Sequence, residues 1–205
     1  MTSDEMEITI VTGNKGKLRE FRELAEELSG GLLRVKQADM PKEEIQADRL
    51  EEIALHAARV ISKLLEPPFF VEDSGLFIEA LNGFPGPYSA YVHKKIGNEG
   101  ILKLMSGVEN RRATFKCVIA FISAPSTQPK LFVGSVSGRI AESIRGDKGF
   151  GYDPIFEFSG RTFAELDTKE KNKVSHRGQA FKKLLQHLGL NYGGEHGIRN
   201  ASSLP

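Results

Sequence analysis

The sequence predicts an α/β protein built on a mixed β-sheet flanked by helices. Strand-like and helical stretches alternate early in the chain, the order that joins parallel strands through helical crossovers. Two apolar runs then follow one another in the middle with only a turn between them, which reads as an antiparallel hairpin. Composition never shifts sharply and no repeat or low-complexity segment appears. The 205 residues therefore read as one domain over 1–190, two-lobed with a cleft, and a mobile tail over 191–205.

Each element has its own signal. Ile8, Ile10 and Val11 form a strand that breaks at the glycines of "TGNKGK". Leu18, Phe21, Leu24, Ala25 and Leu28 then recur at helical spacing until Gly30-Gly31. "LLRVKQADMP" is a short strand running into a loop. From Asp48, the positions Leu50, Ile53, Ala54, Ala57, Val60 and Ile61 mark a second helix, stopped by Pro67-Pro68. "FFVEDSG" reads as a buried strand with two acids at its end, "LNGFPGPYSAYV" as a loop and "NEGILKLMSG" as a short helix. "ATFKCVIAFIS" and "KLFVGSVSGRI" make the hairpin around "APSTQP". A glycine-rich loop, "RGDKGFGYDP", leads to a short strand "IFEF". One helix covers about Lys169 to Leu188, with Val174, Phe181, Leu184, Leu185 and Leu188 on its buried side.

Bulk properties exclude several function classes. A formal net charge of +1 supplies no field to gather nucleic acid or an anionic membrane, so any anion must be caught locally. Cys117 is the only cysteine, which excludes an internal disulfide and a cysteine-based metal cluster. No apolar stretch approaches the roughly 20 residues that span a bilayer. The acidic N-terminus lacks an apolar signal core, and the expected location is the cytoplasm.

Four segments carry residues suited to chemistry. In "TGNKGK" only Asn14 and Lys15 separate the glycines and Leu18 follows Lys17, so this is neither a Walker A loop nor G-x-G-x-x-G. A strand, a glycine turn and a helix N-terminus nevertheless present backbone N–H groups to an anion, helped by Thr12, Asn14, Lys15 and Lys17. An ordinary strand-to-helix turn with surface lysines would read the same way. In "VEDSG", neighbouring side chains of a strand point to opposite faces, so Glu72 and Asp73 do not serve one site together. Asp73, at a strand end opening into a loop, suits metal binding or activation of water, and equally suits starting a turn. Glu43, Glu44 and Asp48 in "PKEEIQAD" offer further carboxylates, or a solvated helix start. Phe150 and Tyr152 lie between glycines in "KGFGYDP", where they either stack on a base or cap the core. Ser175, His176 and Arg177 follow Lys171 in "KEKNKVSHRG". They supply donors for a carbonyl or phosphate oxygen, or form a solvated helix face.

Taken together, "TGNKGK", "EIQAD", "VEDSGL", "NGFPGPYSA", "FGYDP" and "KNKVSHRG", in that order from residue 8 to about 188, resemble the inosine/xanthosine triphosphate pyrophosphatase family. The resemblance implies an elongated mixed sheet, a nucleotide-binding cleft between two lobes, and a homodimer. It also implies Mg²⁺-dependent cleavage of ITP, dITP and XTP between the α and β phosphates. Thr12, Asn14 and Lys17, with the Gly13 to Gly16 backbone and Lys15, would hold the triphosphate. Asp73 would be the catalytic acidic residue and, with Glu44, a metal ligand, while Ser74 would contact substrate. Phe150 would stack on the base, and Gly151, Tyr152 and Asp153 would complete its pocket. Lys171 would reach the phosphates or the base edge. His176 and Arg177, beside Ser175, would read the 6-oxo group.

Two positions depart from the family pattern. His56 stands where many members carry a lysine. Ala90-Tyr91-Val92 stands where many carry a basic residue, with Lys94 or Lys95 as compensating candidates. A related pyrophosphatase for another damaged nucleotide and a non-catalytic nucleotide sensor are the alternatives. Retention of both Glu44 and Asp73 favours catalysis.

Overall fold

The structure, a computed structural model, describes residues 6–41 and 45–190. The alternating part comprises β1 (Met6–Val11), α1 (Lys15–Ser29), β2 (Leu33–Ala38), α2 (Leu50–Ile61) and β3 (Phe69–Ile78). After one 3₁₀ turn at Glu79–Leu81 come β4 (Pro85–Gly86), α3 (Ser89–Leu104) and the long hairpin of β5 (Arg112–Ile122) and β6 (Lys130–Ile140). The chain continues through β7 (Phe156–Phe158), β8 (Arg161–Thr162), α4 (Thr168–Val174) and α5 (His176–His187).

The strands form one sheet in the order β2-β1-β3-β5-β6-β7-β8, with β4 paired to β3. The pairs β1–β2 and β1–β3 are parallel and the rest antiparallel, so the sheet is mixed as expected. Side-chain alternation sorts the core onto two faces. Phe70, Cys117, Ile119 and Phe121 pack with Phe21 and Leu24 of α1 and Phe181 and Leu184 of α5. Phe69, Val71, Val118, Ala120 and Ile122 pack instead with Leu50, Ala54, Ala57, Ala58 and Ile61 of α2. A third cluster joins Val92 and Ile101 of α3 to Phe115, Val136, Phe156 and Phe163 at the far end of the sheet.

Four boundaries differ from the expectation. β3 does not end at Asp73-Ser74-Gly75 but runs to Ile78, because β5 pairs with it continuously from Phe69 to Ile78. Asp73 is therefore a mid-strand residue. α2 ends at Ile61, before the prolines, and Ser62–Leu65 fold into turns. α3 begins at Ser89, inside the expected loop, and is interrupted at Gly97 (φ 64°, ψ −166°), a conformation open to glycine. The expected single C-terminal helix is two. Ser175 adopts an extended conformation and caps the second helix by accepting from the Gly178 N–H (3.0 Å). The tail over 191–205, Glu43 and Glu44 lie outside the described residues.

Candidate active site

The site grows from a gap in the sheet. One edge of β3 is covered by β5 along its length. The other is covered by β1 only at Phe69–Val71 and by β4 only at Leu76–Phe77. Glu72, Asp73, Ser74 and Gly75 thus present an open edge where β1 departs into the "TGNKGK" loop. A cleft of about 470 Å³ wraps around it, large enough for a small-molecule ligand. By alternation Asp73 stands on the α2 face with Val71, as expected, while Glu72 and Ser74 stand on the α5 face. Gly75 admits no side chain, since an added Cβ would overlap the Gly86 carbonyl.

The loop after β1 is shaped by its own side chains. Buried Thr12 accepts from the Asn14 N–H (3.1 Å), and Asn14 accepts from the Lys17 N–H (3.0 Å) as the N-cap of α1. Asn14 and Lys17 line the cleft; Thr12, Gly13, Lys15 and Gly16 do not. Gly16 is required because Phe150 crosses it, an added Cβ lying 2.9 Å from the ring. Burial opposes the Lys17 ammonium, but Glu72 and then Asp73 outweigh it and Arg177's opposition, and the Lys17 pKa ends above its ordinary value.

The other wall comes from the glycine loop and α5. Gly149 (φ 74°) and Gly151 (φ 64°) turn the chain on either side of Phe150. Asp153 accepts from the Phe150 N–H (2.8 Å) and Lys171 (2.6 Å). Burial pushes the Asp153 carboxyl up, against Lys171. Lys171 and Arg177 lie 5.3 and 5.4 Å from the centre of the Phe150 ring. Tyr152 is buried, its hydroxyl donating to the Ser89 carbonyl (3.0 Å) and its ring edge-on to His93 at 5.0 Å. The His176 ring stacks on Phe115 at 4.6 Å. Burial, then the Arg177 and Lys171 charges, hold its pKa well below the ordinary value, so the imidazole is neutral. Its buried Nδ1 meets no hydrogen-bond partner among the described residues.

Beneath these residues lies a buried chain of charge. Lys17 pairs with Glu72 (2.7 Å), and Arg177 pairs with Glu72 (3.3 Å) and with Glu20. Lys171 pairs with Glu20 and Asp153, 2.6 Å from each. Arg177 also donates to the Ser74 hydroxyl (3.1 Å). Burial works against the charged Glu20, and Arg177 and Lys171 overcome it, holding that carboxyl below its usual range. Three cations thus balance three carboxylates.

The cleft brings together Asn14, Lys17, Asp73, Ser74, Phe150, Gly151, Tyr152, Asp153, His176 and Arg177. Lys171 is engaged behind Phe150, and Ser175 is engaged as a helix cap; neither lines the cleft. Lys94, Lys95 and His56 do not line it either. Lys95 instead covers Tyr91 at 5.4 Å. Sequence reasoning missed Glu20, Phe115, Tyr88, Ser89 and His93. Glu20 had a signal, an acid one turn from Lys17 within the apolar stripe of α1; the α3 residues had none, being read as loop. The Asp73 carboxylate, partly exposed in the cleft, suits a hard cation. Among the described residues no group of three or more His, Cys, Asp or Glu side chains could hold a metal ion.

The chain is similar to known proteins along most of its length. Residues 8–187 match the family described as the Ham1 family. The chain is 49% identical over 191 residues to a dITP/XTP pyrophosphatase of Methanopyrus kandleri, covering 92% of this chain and all of that one. It is 52% identical over 183 residues to a dITP/XTP pyrophosphatase of Hyperthermus butylicus, covering 88% and 94%. A HAM1 protein from Coxiella burnetii superposes with a TM-score of 0.77 at 35% identity, over 90% of this chain and 98% of that one.

Proposed function

The chain belongs to the Ham1 family, and on that premise we propose that it hydrolyses ITP, dITP and XTP to the nucleoside monophosphate and pyrophosphate. The observation that carries the reading is the open edge of β3. There Asp73 on one face and Ser74 with Arg177 on the other border a single cleft. Proton acceptor and base-edge donors thus line one nucleotide-sized space.

Lys17 and the N-terminal turn of α1 grip the triphosphate. Asp73 accepts a proton from the water that attacks the α-phosphorus; the α–β anhydride P–O bond breaks, and pyrophosphate leaves as an anion stabilised by Lys17. Asp73, and Glu44 by the family resemblance, would hold magnesium, which would supply charge neutralisation at the reacting phosphate. Phe150 stacks on the base, its ring electrons drawn by the cations behind it. Arg177 donates to the 6-oxo group, and the orphaned His176 Nδ1 gains a partner there. Adenine would set a donor against the Arg177 donors, and such mismatches are rejected by orders of magnitude.

We read the two sides of the cleft as two lobes sharing one sheet. The protein is taken to be cytoplasmic, which accords with the absence, among the described residues, of a helix long and apolar enough to cross a membrane. It is also taken to be a homodimer: α3 exposes Tyr91, Ile96 and Leu104, which a second copy would cover. Phosphorus NMR of an ITP reaction tests the activity. Pyrophosphate and IMP are the expected products; orthophosphate and IDP would overturn the assignment.

A further inference from the structure

Two cations that line the cleft, Lys17 and Arg177, meet at one carboxylate. Glu72 is 2% exposed, and its Oε2 lies 2.7 Å from the Lys17 ammonium. Its Oε1 accepts from Nε and Nη2 of Arg177, both at 3.3 Å, and from the Cys117 thiol at 3.4 Å. Lys17 comes from the first turn of α1 and in the proposed reaction grips the phosphates; Arg177 comes from the first turn of α5 and in that reaction reads the base. The far side of Arg177 is fixed by Glu20, which Lys171 fixes in turn. Neither cation can shift without changing what the other finds at Glu72.

We propose that Glu72 is a positioning residue that couples base recognition to phosphate grip, by sharing one buried carboxylate between Lys17 and Arg177. This rests on the activity proposed above and deepens it. When phosphate oxygens draw Lys17 toward the cleft, Glu72 loses part of its pairing to Lys17 and holds Arg177 more firmly in its reading position. When a 6-oxo group engages Arg177, Glu72 yields Lys17 to the phosphates more readily. Linkage makes the two effects equal. A nucleotide with the wrong base is then gripped less well at its phosphates, although no phosphate contact has changed.

The test separates the halves of the substrate. Inorganic pyrophosphate binding is measured by calorimetry, with Mg²⁺, in the wild type, Arg177→Gln, Glu72→Gln and the double variant. In the wild-type background Arg177→Gln removes Arg177's share of Glu72, the carboxylate holds Lys17 more strongly, and pyrophosphate affinity should fall about five- to tenfold. In the Glu72→Gln background the same substitution should leave only the smaller, direct loss of a nearby positive charge. Equal falls in both backgrounds would show the two cations to be independent and overturn the proposal. Should Arg177→Gln fold poorly, Arg177→Lys serves. It keeps the charge but lacks the fork that reaches two carboxylates, and it should show the same background dependence. ITP binding by the wild type is the control: its absence would sink the activity itself, whereas ITP binding with an additive cycle would sink only the coupling.

Discussion

Asp73 and His176 show how burial assigns roles to single side chains. Asp73 stands on the α2 face at the open edge of β3, partly exposed and lining the cleft. Asp73→Asn should lower turnover by about 10²- to 10⁴-fold while ITP affinity changes little; near-normal turnover would remove Asp73 from the mechanism. His176 titrates the fold itself. Its pKa is depressed in the folded state, so the unfolded chain takes up the proton first as pH falls through 6.5. The stability it confers is complete above that pH and declines below it, by about 1.4 kcal/mol per unit while the folded imidazole stays neutral. The depressed Glu20 carboxyl acts only below 4.5, outside that window. Urea unfolding at pH 7.5 and 5.5 should show the decline, and His176→Asn should reduce it to the part that His187 carries, whose pKa burial and then Lys130 also lower.

At the scale of elements, the placement of α5 on β6 decides where His176 and Arg177 stand. Gly134 of β6 lies directly under α5, and an added Cβ would overlap the His176 carbonyl oxygen and the Ala180 amide nitrogen. Gly134→Ala should therefore lift the first turn of α5, costing about 1–3 kcal/mol of stability and narrowing the preference for ITP over ATP; an unchanged preference would separate the helix position from base reading. The sequence showed the hairpin and α1 because each buries a clean periodic stripe. It did not show that β3 continues through Asp73-Ser74-Gly75. Those residues favour turns locally, and pairing with β5 overrides that preference. Nor did it show the break at Ser175, since apolar spacing on either side suits one helix; the capping hydroxyl divides it.

Across the whole molecule, the buried charges hold the site together. Lys171, expected to touch substrate, ties α1, the Phe150 loop and α4 through Glu20 and Asp153. Lys171→Met leaves two buried carboxylates short of a cation and should cost about 3–5 kcal/mol in urea unfolding. Such long-range pairing is invisible to local pattern, because Glu20 and Lys171 are distant in sequence and meet only when the sheet forms. The motifs were legible as chemistry; which of them touch the cleft and which brace it emerged only from the fold. The central claim is that one cleft joins a phosphate clamp to a reader of the 6-oxo group. Steady-state pyrophosphate release from ITP and ATP, compared as kcat/KM with Mg²⁺ present, tests it most directly. A preference for ITP of at least about 100-fold is expected; equal values for the two nucleotides would show that the cleft does not read the 6-oxo group.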